Sequence, residues 1–119
     1  VQGNYRFNSG VEAAHQLLSE NPHVTAIFAS NDEMAAGAYH AARERGVDVP
    51  NDLSLVGFDD SPIAAHIWPP MTTVGWPIRE MAKAAALKLV APDTAEAQPS
   101  NFPARLVTRN SVAPPAKKI

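Results

Sequence analysis

Cysteine is missing from this 119-residue sequence. That excludes disulfides and thiolate metal sites, and it suits a reducing compartment. No apolar run approaches the ~20 residues that a membrane-spanning helix needs. An excess of one charge is also lacking. The formal net charge is −2, and the 10 lysines and arginines are scattered apart from Lys117-Lys118. Such a chain has no global attraction for nucleic acid. No glycine-rich loop opens a helix in the manner of a P-loop or a dinucleotide fingerprint. His15, His23, His40 and His66 show no His-x-x-x-His spacing on one helix, so no zinc site is expected. No nucleophile stands beside an evident base, and catalysis is not expected. "VQGNYRF" is neither an initiator nor a signal peptide, so the chain reads as a piece of a longer polypeptide.

What is present is a 45% apolar chain of single-domain length. Ser9-Gly-Val-Glu12 has the form of a capping box, and Val11, Ala14, Leu17 and Leu18 then share one helical face. Asn21-Pro22 ends that helix. Residues 24–30, "VTAIFAS", are short, apolar and β-branched in places, as in a strand buried on both faces. Ser30-Asn-Asp-Glu33 is a second capping box, with Met34, Ala38, Ala41 and Ala42 at helical spacing and Gly46 placed to end the helix. "VDVPND" is a turn, residues 53–59 are a second buried strand, and "DSPIAAH" is a turn with one short helical turn. Residues 1–3 offer one more strand. This alternation predicts an α/β fold, a parallel sheet flanked by helices.

The remainder differs. "PPMTTVGWP" is an extended connector. The helix predicted over residues 78–90 is apolar most of the way round, which calls for burial on several sides, and its partner is expected outside this chain. A polar, proline-containing loop follows. Residues 104–112 contain a last strand, and residues 113–119 are a frayed tail.

Ligands of open parallel sheets bind beyond the carboxyl ends of the strands. Asn31 follows the first confident strand and Asp59 the second, so both emerge at one edge. Tyr5 joins them after the possible opening strand, and Trp76 approaches from the connector. An amide, a carboxylate and two aromatic rings suit a small polyhydroxylated ligand: the polar groups pair with hydroxyls and a ring packs on an apolar sugar face. Each residue also has a structural reading. Asn31 serves equally as a helix cap, and Ser30 in that role leaves Asn31 free. Asp32 and Glu33 favour the helix macrodipole. Asp59-Asp60-Ser61-Pro62 reads as a turn. An acidic Mg²⁺ site at Asp32, Asp59 and Asp60 remains an enzyme-like alternative.

Three elements together resemble the effector-binding domain of the LacI/GalR transcriptional regulators. They are Asn31-Asp32-x-Met34-Ala35-x-Gly37-Ala38, Val49-Pro50-x-Asp52-x-Ser54-x-Val56-Gly57-Phe58-Asp59-Asp60, and Pro70-x-Thr72-Thr73-Val74. Their order and spacing match the family, and the flanking segments fit it over nearly the whole chain. The resemblance implies a cytoplasmic regulator that binds DNA as a dimer through an N-terminal helix-turn-helix. Its two-lobed, periplasmic-binding-protein-like sensor takes a sugar or nucleoside-type effector, and no cofactor is implied. This chain then supplies the C-terminal part of the sensor. Residues 1–74 are the C-terminal lobe core, residues 75–91 the crossover and a helix packed on the N-terminal lobe, and residues 104–112 the return strand. At matching positions Asn31 and Asp59 contact effector, Tyr5 stacks on it and Trp76 tunes specificity. Gly75-Trp76-Pro77 departs from the polar run of many members. A periplasmic sugar-binding protein of an uptake system shares the fold and is the alternative.

Overall fold

Two helices cross so closely that glycine is required on both. α1 (Phe7–Glu20) and α2 (Asp32–Glu44) meet at Gly10 and Gly37. A Cβ on Gly10 would lie 2.2 Å from the Met34 carbonyl oxygen, and one on Gly37 would lie 2.2 Å from that of Phe7. Beside this crossing, α2 buries Ala35, Ala38, Ala41 and Ala42, small residues that bring its backbone near the sheet. They pack with Ala14, Leu53, Leu55, Ala64 and Met71 to form the core. Side chains from the far ends of the two helices also meet. Arg45 Nε donates to His15 Nδ1 at 3.0 Å, which leaves the proton on Nε2 for Glu44 Oε2 at 2.9 Å.

The computed structural model describes residues 1–93 and 99–115. β1 (Ala26–Phe28) lies between the two helices, and β2 (Ser54–Val56), α3 (Pro62–His66), β3 (Thr73–Gly75), α4 (Ile78–Val90) and β4 (Arg105–Val107) follow α2 in that order. β1 and β2 are parallel, with Ala26 opposite Ser54 and Phe28 opposite Val56. α2 makes the crossover between them, as the helix–strand alternation requires. The segment entering β3 extends this layer, since Val56 bridges Thr72 in parallel and Gly57 N donates to Thr72 O. β3 and β4 form an antiparallel pair, Thr73 opposite Val107. The α/β class follows from the sequence pattern. Part of the expected tail is tied down, because Ser54 Oγ bonds both the N–H and the carbonyl of Ala113; residues 116–119 lie outside the described residues, as do residues 94–98 of the polar loop.

Several expectations are corrected. Residues 1–3 form no strand. β1 is not buried on both faces: Phe28 is 62% exposed, and among the described residues no second layer covers that side. Ser9 does not cap α1, which begins two residues earlier; its Oγ bonds Asn4 N and Arg6 O instead. Nor does Ser30-x-x-Glu33 form a capping box. Asn31 is the N-cap of α2, its Oδ1 accepting from Met34 N at 2.9 Å. Glu33 caps the other helix, accepting from Phe7 N at 3.2 Å. The helix crossing decides this, since it brings the open N–H groups of α1 within reach of the first turn of α2. Gly46 does end α2 in the left-handed conformation, φ +69°.

Candidate functional site

Parallel pairing sends the chain out of β1 and β2 at the same edge. There Asp32 N donates to Phe58 O at 2.8 Å and Asp59 N donates to Val74 O at 2.9 Å, lacing α2, the end of β2 and β3 together. The backbone then does something unusual. Asp59 (φ +115°) and Asp60 (φ +53°) are consecutive non-glycine residues on the left-handed side of φ. Each such residue costs on the order of 1–3 kcal/mol, so the surroundings must hold it in place.

Two groups do so. One is the Asp32 carboxylate, 1% exposed, which accepts from Ser61 N at 2.7 Å, Ser61 Oγ at 2.9 Å and Thr73 Oγ1 at 2.5 Å. Three donors and the positive end of α2 compensate its charge in place of a cation. Gly57 is required beside it, because a Cβ there would stand 2.3 Å from Asp32 Oδ1. The other is Arg109, which donates to Asp60 Oδ1 at 2.6 Å and to Met71 O at 2.9 Å. The structural role expected of Asp32 and Asp60 is borne out in this bonding.

Asp59 itself is exposed at the rim of an open groove of about 880 Å³, whose walls include Asp60, Trp76, Arg79, Glu80 and Arg105. Trp76 is 38% exposed and tilts against Phe58, ring centroids 5.8 Å apart. Partial burial raises the Asp59 carboxyl above the ordinary aspartate range; a hydrogen bond from Trp76 lowers it and the nearby Asp32 charge raises it again. An ionised acceptor beside an indole, with the guanidinium donors of Arg79 and Arg105 in the same walls, is chemistry suited to a hydroxylated ring.

The four candidate residues fall into two pairs. Asp59 and Trp76 share the groove. Asn31 and Tyr5 are joined to each other, Asn31 Nδ2 donating to Tyr5 O at 3.0 Å, and neither lines that groove. Of the two roles open to Asn31 in the sequence, capping is the one its bonding shows, with one amide hydrogen and one lone pair remaining for another partner. Tyr5 takes φ +64° and is 63% exposed. Sequence reasoning missed Arg109 and Phe58. Nothing near Arg109 in sequence marks it, since its partner lies 49 residues away; Phe58 is signalled only by its place before Asp59. A second groove, about 760 Å³ and lined in part by Tyr39, His40, Arg43 and Trp68, contains none of the four. No group of three or more potential metal ligands gathers among the described residues, so the acidic Mg²⁺ alternative finds no support in the geometry.

The sequence profile of the periplasmic binding protein-like domain matches residues 1–112. Catabolite control protein A of Priestia megaterium is 42% identical over 90 residues, 76% of this chain and 27% of that protein. The transcriptional regulator GalS of Salmonella typhimurium is 43% identical over 114 residues, 93% of this chain and 34% of that protein. The chain belongs to the LacI/GalR family. It spans about a third of the length of these LacI/GalR relatives or less. Among solved family structures, the complex of the transcriptional regulator CelR with cellobiose superposes with a TM-score of 0.78 at 33% identity, covering 92% of this chain and 34% of that one. The family and the periplasmic-binding-protein-like fold are thus those the three motifs imply.

Proposed function

We propose that this chain is the sensing part of a DNA-binding transcriptional regulator, and that it takes a sugar at the strand-end rim. The observation that carries this reading is the pairing of the Asp59 carboxylate with the Trp76 indole on one groove at the carboxyl edge of parallel strands. The resemblance to a family structure that holds cellobiose supports it. Asp59 accepts hydroxyl hydrogen bonds, Trp76 packs on the ring face, and Asn31 approaches from the adjoining end of β1 with Tyr5 bonded to it. Residues 1–74 form the core of one lobe, residues 75–91 cross to a second lobe, residues 104–112 return, and residues 113–119 are the tail. The outward apolar residues of α4 support that division. Effector closes the lobes and shifts a homodimer between DNA-competent and incompetent states, which requires unequal affinity for the two. The protein acts in the cytoplasm, reaches DNA through a separate domain and performs no turnover.

Calorimetry of the full-length polypeptide against a panel of mono- and disaccharides tests this. Asp59→Ala is expected to weaken the saccharide that binds by tenfold or more, about 1.4 kcal/mol. Unchanged affinity would remove Asp59 from the site. Because the Asp59 carboxyl is raised, it protonates at a higher pH than an ordinary aspartate and loses its charge as an acceptor. Affinity is therefore expected to fall on acidification with a midpoint above the usual aspartate range, and Asp59→Asn is expected to flatten the profile.

A further inference from the structure

The left-handed pair Asp59-Asp60 has no glycine to make it easy, so what holds it determines where the Asp59 carboxylate stands. From α2, the Asp32 carboxylate grips Ser61 N and Oγ. From the opposite side Arg109 grips Asp60, the two side chains only 21% and 24% exposed. Arg109 is itself well anchored: its backbone N–H donates to Thr72 Oγ1 at 2.9 Å and its guanidinium to Met71 O. Asp60 N adds a long bond of 3.4 Å to Thr73 Oγ1. Arg109 follows β4 by two residues, and β4 pairs with β3, the strand that leads into α4.

We propose that Arg109 is a positioning residue for the rim: by holding Asp60 at positive φ it fixes the Asp59 carboxylate on the groove, and it ties that carboxylate to the β3–β4 pair. Loss of the guanidinium leaves Asp60 with one long bond, and the pair Asp59-Asp60 relaxes toward negative φ. The Asp59 carboxylate then swings away from Trp76. The effector role of Asp59 rests on the reading above; its positioning by Arg109 does not, and the two fail separately in a test without ligand.

The test uses the full-length polypeptide with ¹⁵N-labelled indoles, the Trp76 N–H resonance being assigned by its disappearance in Trp76→Phe. Arg109→Gln is expected to move this resonance toward the position of a free, water-bonded indole, while Arg109→Lys moves it less. The decisive pair is Asp60→Ala against Asp60→Gly. Both remove the ion pair, but only glycine adopts positive φ without steric cost. Asp60→Ala is expected to shift the resonance and Asp60→Gly to leave it in place, and adding Asp60→Gly to Arg109→Gln is expected to restore it. A resonance unmoved by Arg109→Gln while thermal stability falls would reduce Arg109 to a structural residue and overturn the proposal. Equal shifts in Asp60→Ala and Asp60→Gly would overturn it as well. Should Arg109→Gln fail to fold, the Asp60 pair decides alone.

Discussion

Asp32 shows how one residue governs the rim without lining its groove. It is the first residue of α2, its carboxylate is buried, and all three of its bonds come from segments far away in sequence. Replacing it by asparagine keeps the shape but points a donor amide at the donors of Ser61 or Thr73. Unfolding in urea is expected to show a loss of about 2–4 kcal/mol, the range for a broken buried polar network. A loss within 0.5 kcal/mol, the scale of an ordinary surface change, would mean that the network is dispensable. Sequence reasoning identified Asp32 as structural but assigned it to the helix dipole. Its larger task, holding Ser61 and Thr73, was illegible because nothing local marks residues 29 and 41 positions away as neighbours. Asn31 taught the converse. The capping box read from Ser30 and Glu33 was a sound local pattern, and the tertiary crossing of α1 and α2 overrode it.

At the scale of elements, the α1–α2 crossing and the seat of α2 control stability. Gly37→Ala forces a methyl against the Phe7 carbonyl and cannot be accommodated by a side-chain rotation. A loss of about 3 kcal/mol or more is expected, at the upper end of the overpacking range. Gly46→Ala faces open space and suffers only the left-handed backbone, so about 1 kcal/mol is expected. Denaturation midpoints of the two variants check both values, and a reversed order would refute the close-crossing account. On its other side α2 is fixed by Tyr39, whose hydroxyl donates to Pro69 O at 3.0 Å. Burial pushes this phenol up to about 12, against a smaller lowering by a hydrogen bond with Ser111. A raised folded value means that the stabilisation is complete below the ordinary value near 10 and is lost as pH rises through 12. That fall is on the order of 2–3 kcal/mol, from about 1.4 kcal/mol per unit. Tyr39→Phe is expected to be less stable at neutral pH by about 1 kcal/mol, leaving the Pro69 carbonyl unpaired, and to show a shallower alkaline decline. Stability measured against pH from 8 to about 12 decides the matter.

For the whole molecule, the dimensions tell against a closed globule. The Cα radius of gyration is 17.6 Å, whereas a compact domain of this length has about 13.5 Å. α4 buries only Ala84, and Leu89 and Val90 are 83% and 77% exposed. Apolar surface of that kind seeks a cover. The isolated 119-residue chain is therefore expected to self-associate, with a mass by light scattering that rises with concentration and falls on Leu89→Lys combined with Val90→Lys. A strictly monomeric chain at high concentration would contradict this. Residues 78–90 are apolar on more sides than the described residues cover.

The sequence by itself determined the α/β alternation, the bounds of α4, the glycine end of α2 and the family, through three motifs whose spacing is set by strand and helix lengths. These are local or periodic properties, and residue order encodes them directly. Only the tertiary structure decided which helix Glu33 caps, that Asn31 is committed to capping, and that the four candidate residues divide into two pairs. It alone brought Arg109 to Asp60. The physical reason is the same in each case. A side chain's bonding partner is chosen by proximity in space, and parallel strands joined through helices bring together residues that the sequence keeps dozens of positions apart.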